Sequence, residues 1–258
     1  MSKKIVVFIV ILLIIVMIKP LQIHAGTYDR FYFEKRGEIV WEVPTQKKIV
    51  ALTFDDGPDR EFTPIIAGLL KKYKAKGTFF VIGENLKTNN DIAQDLLKNG
   101  HEIANHSYSH RKFSTLNEFQ IREELNSTEE LITSIQQKPL KLMRPPTGHF
   151  DKRVVDIFNN MNYITILWGW NQDTRDWAET NGQAIAARVI KNLKNGDIII
   201  MHDSGGDRAS TIQTLEIILP KLQELGYECV TMTELLKEHP KFSKQLQDYD
   251  KKNLQLTK

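Results

Sequence analysis

From residue 49 onward, short apolar runs alternate with longer stretches whose apolar residues recur at helical spacing. The run at 49–54 is apolar and β-prone and ends in carboxylates, and the stretch at 62–73 has the periodicity of an amphipathic helix. The further strands predicted in this way are 77–83, 102–105, 140–143, 163–167, 197–201 and 228–231, and the further helices are 90–98, 116–136, 151–161, 181–193, 211–225 and a short one from 233. Strands that alternate with helices indicate a parallel sheet.

The number of these strand–helix units predicts an α/β fold. Seven or eight parallel strands favour a (β/α) barrel over an open sheet, and a length of 258 residues suits a single domain. Polar, chemically active residues follow several of the strands directly. Because a barrel of this kind carries its active site at the carboxyl ends of its strands, we expect these residues to meet there.

The N-terminal segment has a different pattern. Lys3 and Lys4 precede an uninterrupted apolar stretch at 5–18, which a Lys-Pro pair ends. A positive region followed by an apolar one is typical of a secretory signal. At about 1.5 Å per residue, the stretch is short for a bilayer core of about 30 Å. We expect a signal peptide or short N-terminal membrane anchor at 1–25, with the rest of the chain exported and cleavage left open.

The remaining boundaries follow from the same pattern. We expect a linker or arm at 26–46, a main domain at 47–238 and a polar, flexible tail at 239–258. The arm is rich in aromatic residues, so it is expected to pack on the domain either irregularly or as a short hairpin. The tail is charged and has no apolar periodicity.

Composition excludes some classes of function. A 41% hydrophobic and 26% charged content is ordinary for a globular protein, and a net charge of +3 is too small to argue for a nucleic-acid partner. The one cysteine, Cys229, lies in a strand-like run, and we interpret it as a core residue rather than a reactive thiol.

Two neighbouring carboxylates stand at the end of the first predicted strand. The side chains of Asp55 and Asp56 leave the strand in different directions, so that one can bind a cation while the other works as a base. Taken alone, the run Asp-Asp-Gly-Pro is equally good chemistry for a turn or a helix cap.

Two histidines follow a later strand at a spacing of four. On a helical turn, this spacing points the imidazoles of His106 and His110 the same way. With one carboxylate they make a two-histidine, one-aspartate set with open positions, which suits zinc or a similar divalent ion. A polar helix face is the alternative, and the position after a strand, downstream of the aspartate pair, argues against it. We interpret the nearby His101 as structural.

Later strands lead into weaker candidates. Arg144 precedes two prolines that stiffen the backbone, and a guanidinium held beside a carboxylate keeps that carboxylate ionised. Asp176 is a candidate to orient a histidine, and Trp177 offers a sugar-stacking face, whereas we interpret Trp168 as core. His202 stands at the lip of an apolar strand, where burial and an aspartate partner can tune it to act as a general acid. A surface turn at Arg144 and a structural histidine at His202 are the alternatives.

Five short runs, which follow one another along the chain in a fixed order, resemble the motifs of the polysaccharide deacetylase family, carbohydrate esterase family 4. The runs are TFDDGP at 53–58, HSYSH at 106–110, RPPTG at 144–148, DTRDW at 173–177 and IMH at 200–202. The resemblance covers roughly 49–236, and it implies a distorted, incomplete (β/α) barrel that removes N-acetyl or O-acetyl groups from sugars. It also makes 47–238 a polysaccharide deacetylase catalytic domain.

The resemblance implies a role for each residue. Asp55 matches the catalytic base, and Asp56, His106 and His110 match the metal ligands. The other matches are Arg144 bracing the base, His202 as catalytic acid, Asp176 tuning that acid, the Thr147 N–H as oxyanion donor, Trp177 as groove aromatic and Ile200 as a wall of the acetyl-methyl pocket. Thr147 departs from the aromatic residue common in the family, and Ile200 from the common leucine. The first departure puts substrate preference in question.

Together these features predict a metal-dependent hydrolase acting outside the cytoplasm. Its expected substrate is the N-acetylglucosamine of a cell-envelope polysaccharide, peptidoglycan first and chitin oligomers second. The expected cofactor is Zn2+, with Co2+ or another divalent ion as alternatives, and the membrane is a partner if the N-terminal segment is uncleaved.

Other functions stay open at this point. An O-acetyl esterase of the xylan type would use the same residues. An inactive, membrane-tethered glycan-binding domain is disfavoured because base, ligands and acid are all present. A cytosolic amidohydrolase of the same broad fold is disfavoured by the export signal.

Overall fold

The computed structural model describes residues 29–136, 139–244 and 246. The predicted signal or anchor segment at 1–25 lies outside these residues, as do 26–28 of the predicted arm and 247–258 of the predicted tail. Across the described ranges, no helix combines the length and the apolar character that crossing a membrane requires.

Strands and helices alternate along the described chain. The strands are β1 (Ile39–Val40), β2 (Ile49–Asp55), β3 (Gly77–Val81), β4 (Glu102–Asn105), β5 (Leu142–Met143), β6 (Ile164–Ile166), β7 (Ile198–His202) and β8 (Glu228–Cys229). The helices are α1 (Arg30–Arg36), α2 (Phe62–Lys72), α3 (Gly83–Thr88), α4 (Asn90–Lys98), α5 (Glu118–Ile135), α6 (Lys152–Asn160), α7 (Gly182–Asn192), α8 (Ala209–Glu224) and α9 (Met232–Leu236). Short 3-10 turns lie at Phe113–Thr115 and Pro146–Gly148.

The strands form one parallel sheet that curls into a half-barrel. Its order is β1-β6-β5-β4-β3-β2-β7, and β8 pairs with the start of β2. The chain after β6 reaches across to β7: the Gly169 N–H donates to the Ile198 carbonyl at 3.0 Å, and Asp173 forms a parallel bridge with Ile200. These contacts confirm the predicted distorted barrel of seven or eight parallel strands in a single domain.

Alternate residues of β2 contribute to two apolar cores. Val50, Leu52 and Phe54 belong to the larger core, which includes residues of α2 and α8 and therefore lies between the sheet and those helices. Ala51 belongs to a second core on the inner face, and the same face ends in Asp55. Because both faces are covered, the sequence of this strand is apolar almost throughout instead of alternating.

The predicted arm is part of the packed structure. Phe33 of α1 is buried, and β1 pairs in parallel with β6, so the hairpin alternative is wrong. The arm pairs with β6 because its apolar residues find a free sheet edge there, more than a hundred positions along the chain. Such a distant pairing leaves no local turn signal in the sequence.

The amino ends of the strands are closed by α9 and the residues after it. Met232, Phe242 and Leu246 belong to the inner core, and the Met232 N–H donates to the Thr78 hydroxyl near the start of β3. Packing therefore continues past residue 238, the predicted end of the domain. Cys229 is buried, as predicted for a core residue.

Candidate active site

The carboxyl ends of the strands surround a cavity of about 530 Å³. Eight of the sequence-predicted site residues line it: Asp55, Asp56, His106, His110, Thr147, Trp177, Ile200 and His202. The other two, Arg144 and Asp176, are buried and contact Asp55 and His202 respectively. All the residues predicted from separate runs of the sequence thus come together at one end of the barrel.

Asp55 is the last residue of β2, and Arg144 fixes its side chain. The fully buried guanidinium donates to Asp55 Oδ1 at 2.6 Å and to the Thr53 hydroxyl at 3.0 Å, and it packs over the Phe80 ring. Burial lowers the pKa of Arg144, and its contact with Asp55 opposes that shift. The pair is a buried, charge-assisted contact that keeps one oxygen of Asp55 directed at Arg144 and leaves the other available.

Three side chains of the types that bind metals converge beside this pair. Asp56, His106 and His110 each offer an atom within 4.8 Å of the others. Asp56 Oδ1 lies 3.5 and 3.4 Å from the two Nε2 atoms, yet it is buried without a hydrogen-bond partner among the described residues. An orphaned buried carboxylate oxygen is costly, and a cation between the three groups would remove that cost. One carboxylate and two imidazoles form a donor set that fits a divalent metal.

The ring of His106 is oriented for ligation by its second nitrogen. Nδ1 lies 2.7 Å from the Arg144 carbonyl, which can only accept, so Nδ1 carries the hydrogen and Nε2 keeps its lone pair. Burial lowers the pKa of His106 despite the nearby carboxylates, which favours the neutral ring that a metal needs.

The backbone around the histidines is not the helical turn that their spacing suggested. Residues 106–112 form a loop, in which Ser107 (φ 69°) and His110 (φ 55°) adopt the left-handed conformation. The two imidazoles converge because the loop folds back on itself. The two predicted ligands therefore do lie side by side, but the helical turn given as the geometric reason was wrong.

Glu124 of α5, which the sequence analysis missed, holds this loop. Its carboxylate accepts the N–H groups of Tyr108 and Ser109 at 2.9 and 2.8 Å and the Ser109 hydroxyl at 2.6 Å. Glu124 lies on the buried face of α5, between Ile121 and Leu125. An acidic residue at an apolar position of an amphipathic helix is the signal that pointed to it.

His202 and Asp176 form the second buried pair of the site. His202 Nδ1 lies 2.7 Å from Asp176 Oδ1, and the other carboxylate oxygen accepts the His202 N–H at 2.8 Å and the Thr211 hydroxyl at 2.6 Å. Burial opposes the charged ring, but the hydrogen bond and charge of Asp176 outweigh it and raise the pKa of His202 to about 9. His202 is therefore held protonated at neutral pH, with its remaining nitrogen available on the cavity side.

Asp203, also missed, links the two strand ends. Its fully buried carboxylate accepts the Gly57 N–H at 3.1 Å and the Thr63 hydroxyl at 2.5 Å, and burial, with the charge of nearby Asp56, raises its pKa to about 7. A Cβ on Gly57 would lie 2.1 Å from this carboxylate, so the close approach requires glycine. The chain after Asp56 is thus fastened to the chain after His202.

The cavity walls are apolar and aromatic. Trp177 is 64% exposed at the rim, whereas Ile200 is 4% exposed within it. Thr147 is exposed and has φ 61°, and none of the described residues accepts a hydrogen bond from its N–H. Trp168 packs against two apolar clusters, as a core residue would, but it also lines the cavity.

His101 lies away from the cavity. Its Nδ1 accepts the Gly77 N–H at 3.1 Å, its ring packs edge-on against Phe79, and burial lowers its pKa to about 4. This environment agrees with the interpretation of His101 as structural.

Comparisons with known proteins agree with this geometry. Residues 42–166 match a family model described as polysaccharide deacetylase. The chain is 41% identical over 204 residues to a peptidoglycan-N-acetylglucosamine deacetylase of Bacillus cereus, a match that covers 79% of this chain and 95% of that protein.

Solved structures give the same result. The crystal structure of the Bc1960 peptidoglycan N-acetylglucosamine deacetylase has a TM-score of 0.76 and 32% identity, covering 80% of this chain and 96% of that one. BA3943 of Bacillus anthracis, a pseudoenzyme of carbohydrate esterase family 4, has a TM-score of 0.71 and 32% identity, covering 78% and 69%.

Proposed function

Since the chain belongs to the polysaccharide deacetylase family, whose members are metal-dependent hydrolases of acetylated glycans, we propose that it removes N-acetyl groups from the N-acetylglucosamine of peptidoglycan. One observation carries the proposal. A ligand cluster with an orphaned carboxylate oxygen lies in the same cavity as a braced carboxylate, Asp55, and a histidine with a raised pKa, His202.

In this proposal, Asp56, His106 and His110 hold a divalent metal. Zinc is the first choice because one carboxylate and two imidazoles suit it, and Co2+ or another divalent ion is the alternative. When bound, such an ion acts as a Lewis acid that polarises a carbonyl oxygen and lowers the pKa of water.

The proposed base is Asp55. One carboxylate oxygen accepts a hydrogen bond from Arg144 at 2.6 Å, which fixes the direction of the side chain. The other oxygen, 3.8 Å from His106 Nε2, is then free to take the proton of the attacking water. Attack on the acetamide carbon converts the carbonyl oxygen into an oxyanion, for which the Thr147 N–H is the proposed donor.

The proposed acid is His202. Its ring is protonated at neutral pH because Asp176 raises its pKa to about 9. As the carbon–nitrogen bond breaks, His202 gives its proton to the sugar nitrogen, and acetate and a free amine are formed. The proton taken by Asp55 and the proton given by His202 balance the reaction.

The cavity walls offer surfaces that the proposed substrate can bind. Trp177 offers an exposed ring face for a sugar, and Ile200 lines the space for the acetyl methyl group. Thr147 makes one wall smaller than the aromatic residue common in the family, which leaves room for a bulkier glycan. Because peptidoglycan lies outside the cytoplasm, we propose that the protein acts there. The signal peptide or membrane anchor expected at 1–25 would direct its export.

The test is acetate release from peptidoglycan and from N-acetylglucosamine oligomers, with added zinc and with a chelator. We expect chelator-sensitive release, faster on peptidoglycan. Asp55→Asn should lose turnover and retain the metal, whereas Asp95→Asn, an exposed aspartate on α4, should keep both. Full activity of Asp55→Asn would refute the assignment of the base.

The inactive glycan-binding domain is the second candidate, since a pseudoenzyme is among the structural neighbours. Metal binding without turnover on N-acetylated or O-acetylated glycans would favour it. Turnover on O-acetylated xylan alone would instead favour the esterase.

A further inference from the structure

Arg208 lines the cavity, and the proposed mechanism does not use it. Arg208 lies on the loop between β7 and α8, six residues after His202 in the sequence. It is 3% exposed, yet it lines the cavity. A nearly buried cation at the wall of an active-site cavity needs a physical explanation, because a charge removed from water is costly unless it is paired.

Among the described residues, the Arg208 side chain donates hydrogen bonds only to backbone carbonyls. Its Nε donates to the Ser204 carbonyl at 2.6 Å, and its Nη2 donates to the Gly205 carbonyl at 2.8 Å. Gly205 (φ +82°) and Gly206 (φ +128°) give the loop the conformation that turns these carbonyls inward. These two hydrogen bonds fix the direction of the guanidinium.

No carboxylate in the described part of the chain pairs with this guanidinium. Arg208 has no ion-pair partner there, and its Nη1 donates no hydrogen bond to any described residue. Arg144, the other buried arginine at this end of the barrel, has Asp55 as its partner. The two arginines thus differ in their charge compensation: Asp55 neutralises Arg144, whereas no described carboxylate neutralises Arg208.

The unpaired guanidinium lies beside the ligand cluster. An atom placed as a Cβ on Gly205 would lie 3.3 Å from both Arg208 Nη2 and Asp56 Oδ2, so the two groups face each other across one glycine. They are too far apart to form an ion pair, and in the proposed function Asp56 is committed to the metal. Arg208 therefore adds a fixed positive charge next to the position where the acetyl group would react.

We propose that Arg208 binds a carboxylate in the active-site cavity. A planar guanidinium with two free donors matches a carboxylate better than any neutral group. Two sources supply this chemistry: the acetate that the reaction releases, and a carboxylate on the sugar next to the one that is deacetylated. The inference rests on the proposed function for the identity of these ligands, but binding of acetate can be measured without turnover.

The first arm of the test measures acetate binding to the metal-loaded full chain by calorimetry. We compare the unmodified protein with Arg208→Gln, which removes the charge but keeps an amide that can donate to a carbonyl. The matched control is Arg122→Gln, an arginine on the surface of α5 whose change alters the net charge equally. We expect Arg208→Gln to weaken acetate binding about tenfold or more, the size of one charge-assisted hydrogen bond, and Arg122→Gln to leave it unchanged.

The second arm separates the two sources. The substrates are N-acetylglucosamine–N-acetylmuramic acid oligomers with the lactyl carboxylate free or converted to its methyl ester. If the carboxylate of the neighbouring sugar is the ligand, Arg208→Gln lowers kcat/KM about tenfold on the free acid and leaves the ester unchanged. If acetate is the ligand, both substrates react alike, and product inhibition by acetate weakens in the variant.

The proposal is overturned if Arg208→Gln folds and changes neither acetate affinity nor the acid-to-ester ratio, since the arginine would then only hold its loop. If the variant does not fold, crystals of the unmodified protein soaked with acetate and with the free-acid oligomer decide the matter. Carboxylates that bind in the cavity without contact to the Arg208 guanidinium would exclude it. If acetate binding depends on Arg208 but the protein shows no turnover, the proposed function is wrong and the inference about Arg208 is supported.

Discussion

The two sides of the cavity hold their reactive groups by different means. On the proposed metal side, Asp56 (φ 79°) and His110 (φ 55°) stand on left-handed backbone, and His106 begins the irregular loop that carries His110. On the acid side, His202 is the last residue of the regular strand β7, and its ring is fixed by buried Asp176. Left-handed backbone is unfavourable for residues other than glycine and persists only where surrounding contacts enforce it.

The difference indicates where each side is vulnerable. The metal side depends on groups that never enter the cavity, such as Glu124 with its three hydrogen bonds to the histidine loop. The acid side depends on one ion pair at a strand end. Changes on the acid side should therefore alter proton transfer and leave the metal bound, whereas changes behind the metal side should alter metal affinity first.

The largest expected effect tests the acid side. His202→Gln removes the proposed proton donor, and we expect kcat to fall by about 10²–10⁴, the usual contribution of general acid–base catalysis. Metal affinity, measured by competition with a chromogenic chelator, should be unchanged because His202 is not among the ligand cluster. Loss of the metal from this variant would show that the two sides are not independent, which would contradict the difference drawn between them.

The pH dependence of stability also tests the acid side, through the protonation of His202. The pKa of His202 is raised from 6.5 to about 9, so the stability that its charged form contributes is fully present below the unfolded value of about 6.5 and is lost as pH rises through about 9. The free energy of unfolding of the metal-free protein should fall by up to about 3 kcal/mol over this range.

Asp176→Asn is the comparison for this measurement. It removes the charge that raises the pKa of His202, so its free energy of unfolding should vary less between pH 7 and 10. Denaturant titrations at several pH values measure both proteins. A gap between the two that stays constant with pH would contradict the role of the Asp176–His202 pair.

The next prediction tests the metal side through Glu124, which holds the histidine loop without being a candidate ligand. Glu124→Ala removes the carboxylate that accepts three hydrogen bonds from the loop, and we expect the metal affinity to fall by about 10–100-fold, as is usual when support for metal ligands is lost. Glu123→Ala, an exposed neighbour with the same change of charge, is the control. At saturating metal, kcat of the Glu124 variant should recover, and a kcat that stays low would mean that the loop also positions the substrate.

The acid side was accessible to sequence reasoning because regular structure carries it. The uninterrupted apolar run that ends in His202 predicts a buried strand with a definite end, and parallel strands bring their carboxyl ends together. The prediction of Asp176 as the partner came instead from a carboxylate beside Trp177 in a polar loop and from the family resemblance. Only the strength of their contact, and hence the direction of the pKa shift, needed coordinates.

The metal side was accessible only in part. Spacing and residue type made His106 and His110 candidate ligands, and the structure brings them together, but the helical turn assumed for them is a loop with Ser107 in the left-handed region. No glycine marks that conformation in the sequence, since the strain is maintained by contacts with distant residues. Asp203 looked like an ordinary polar position, and the apolar position of Glu124 on its helix did not show what its carboxylate binds, because the partners of both residues lie in other segments of the chain.

The smallest effect expected concerns the helix that carries Glu124. The Asn117 side chain accepts the Gln120 N–H at 2.9 Å, and the Gln120 side chain accepts the Asn117 N–H at 3.0 Å, which together form a capping box at the start of α5. Asn117→Ala should lower the free energy of unfolding by about 1 kcal/mol, and Asn117→Ser, which keeps a capping oxygen, should restore most of it. Glu124 lies nearly two turns into the helix, so fraying of the first turn should leave its carboxylate in place. Metal affinity should therefore stay unchanged in Asn117→Ala, and a parallel loss of stability and affinity would mean that the metal side depends on the helix as a whole rather than on Glu124.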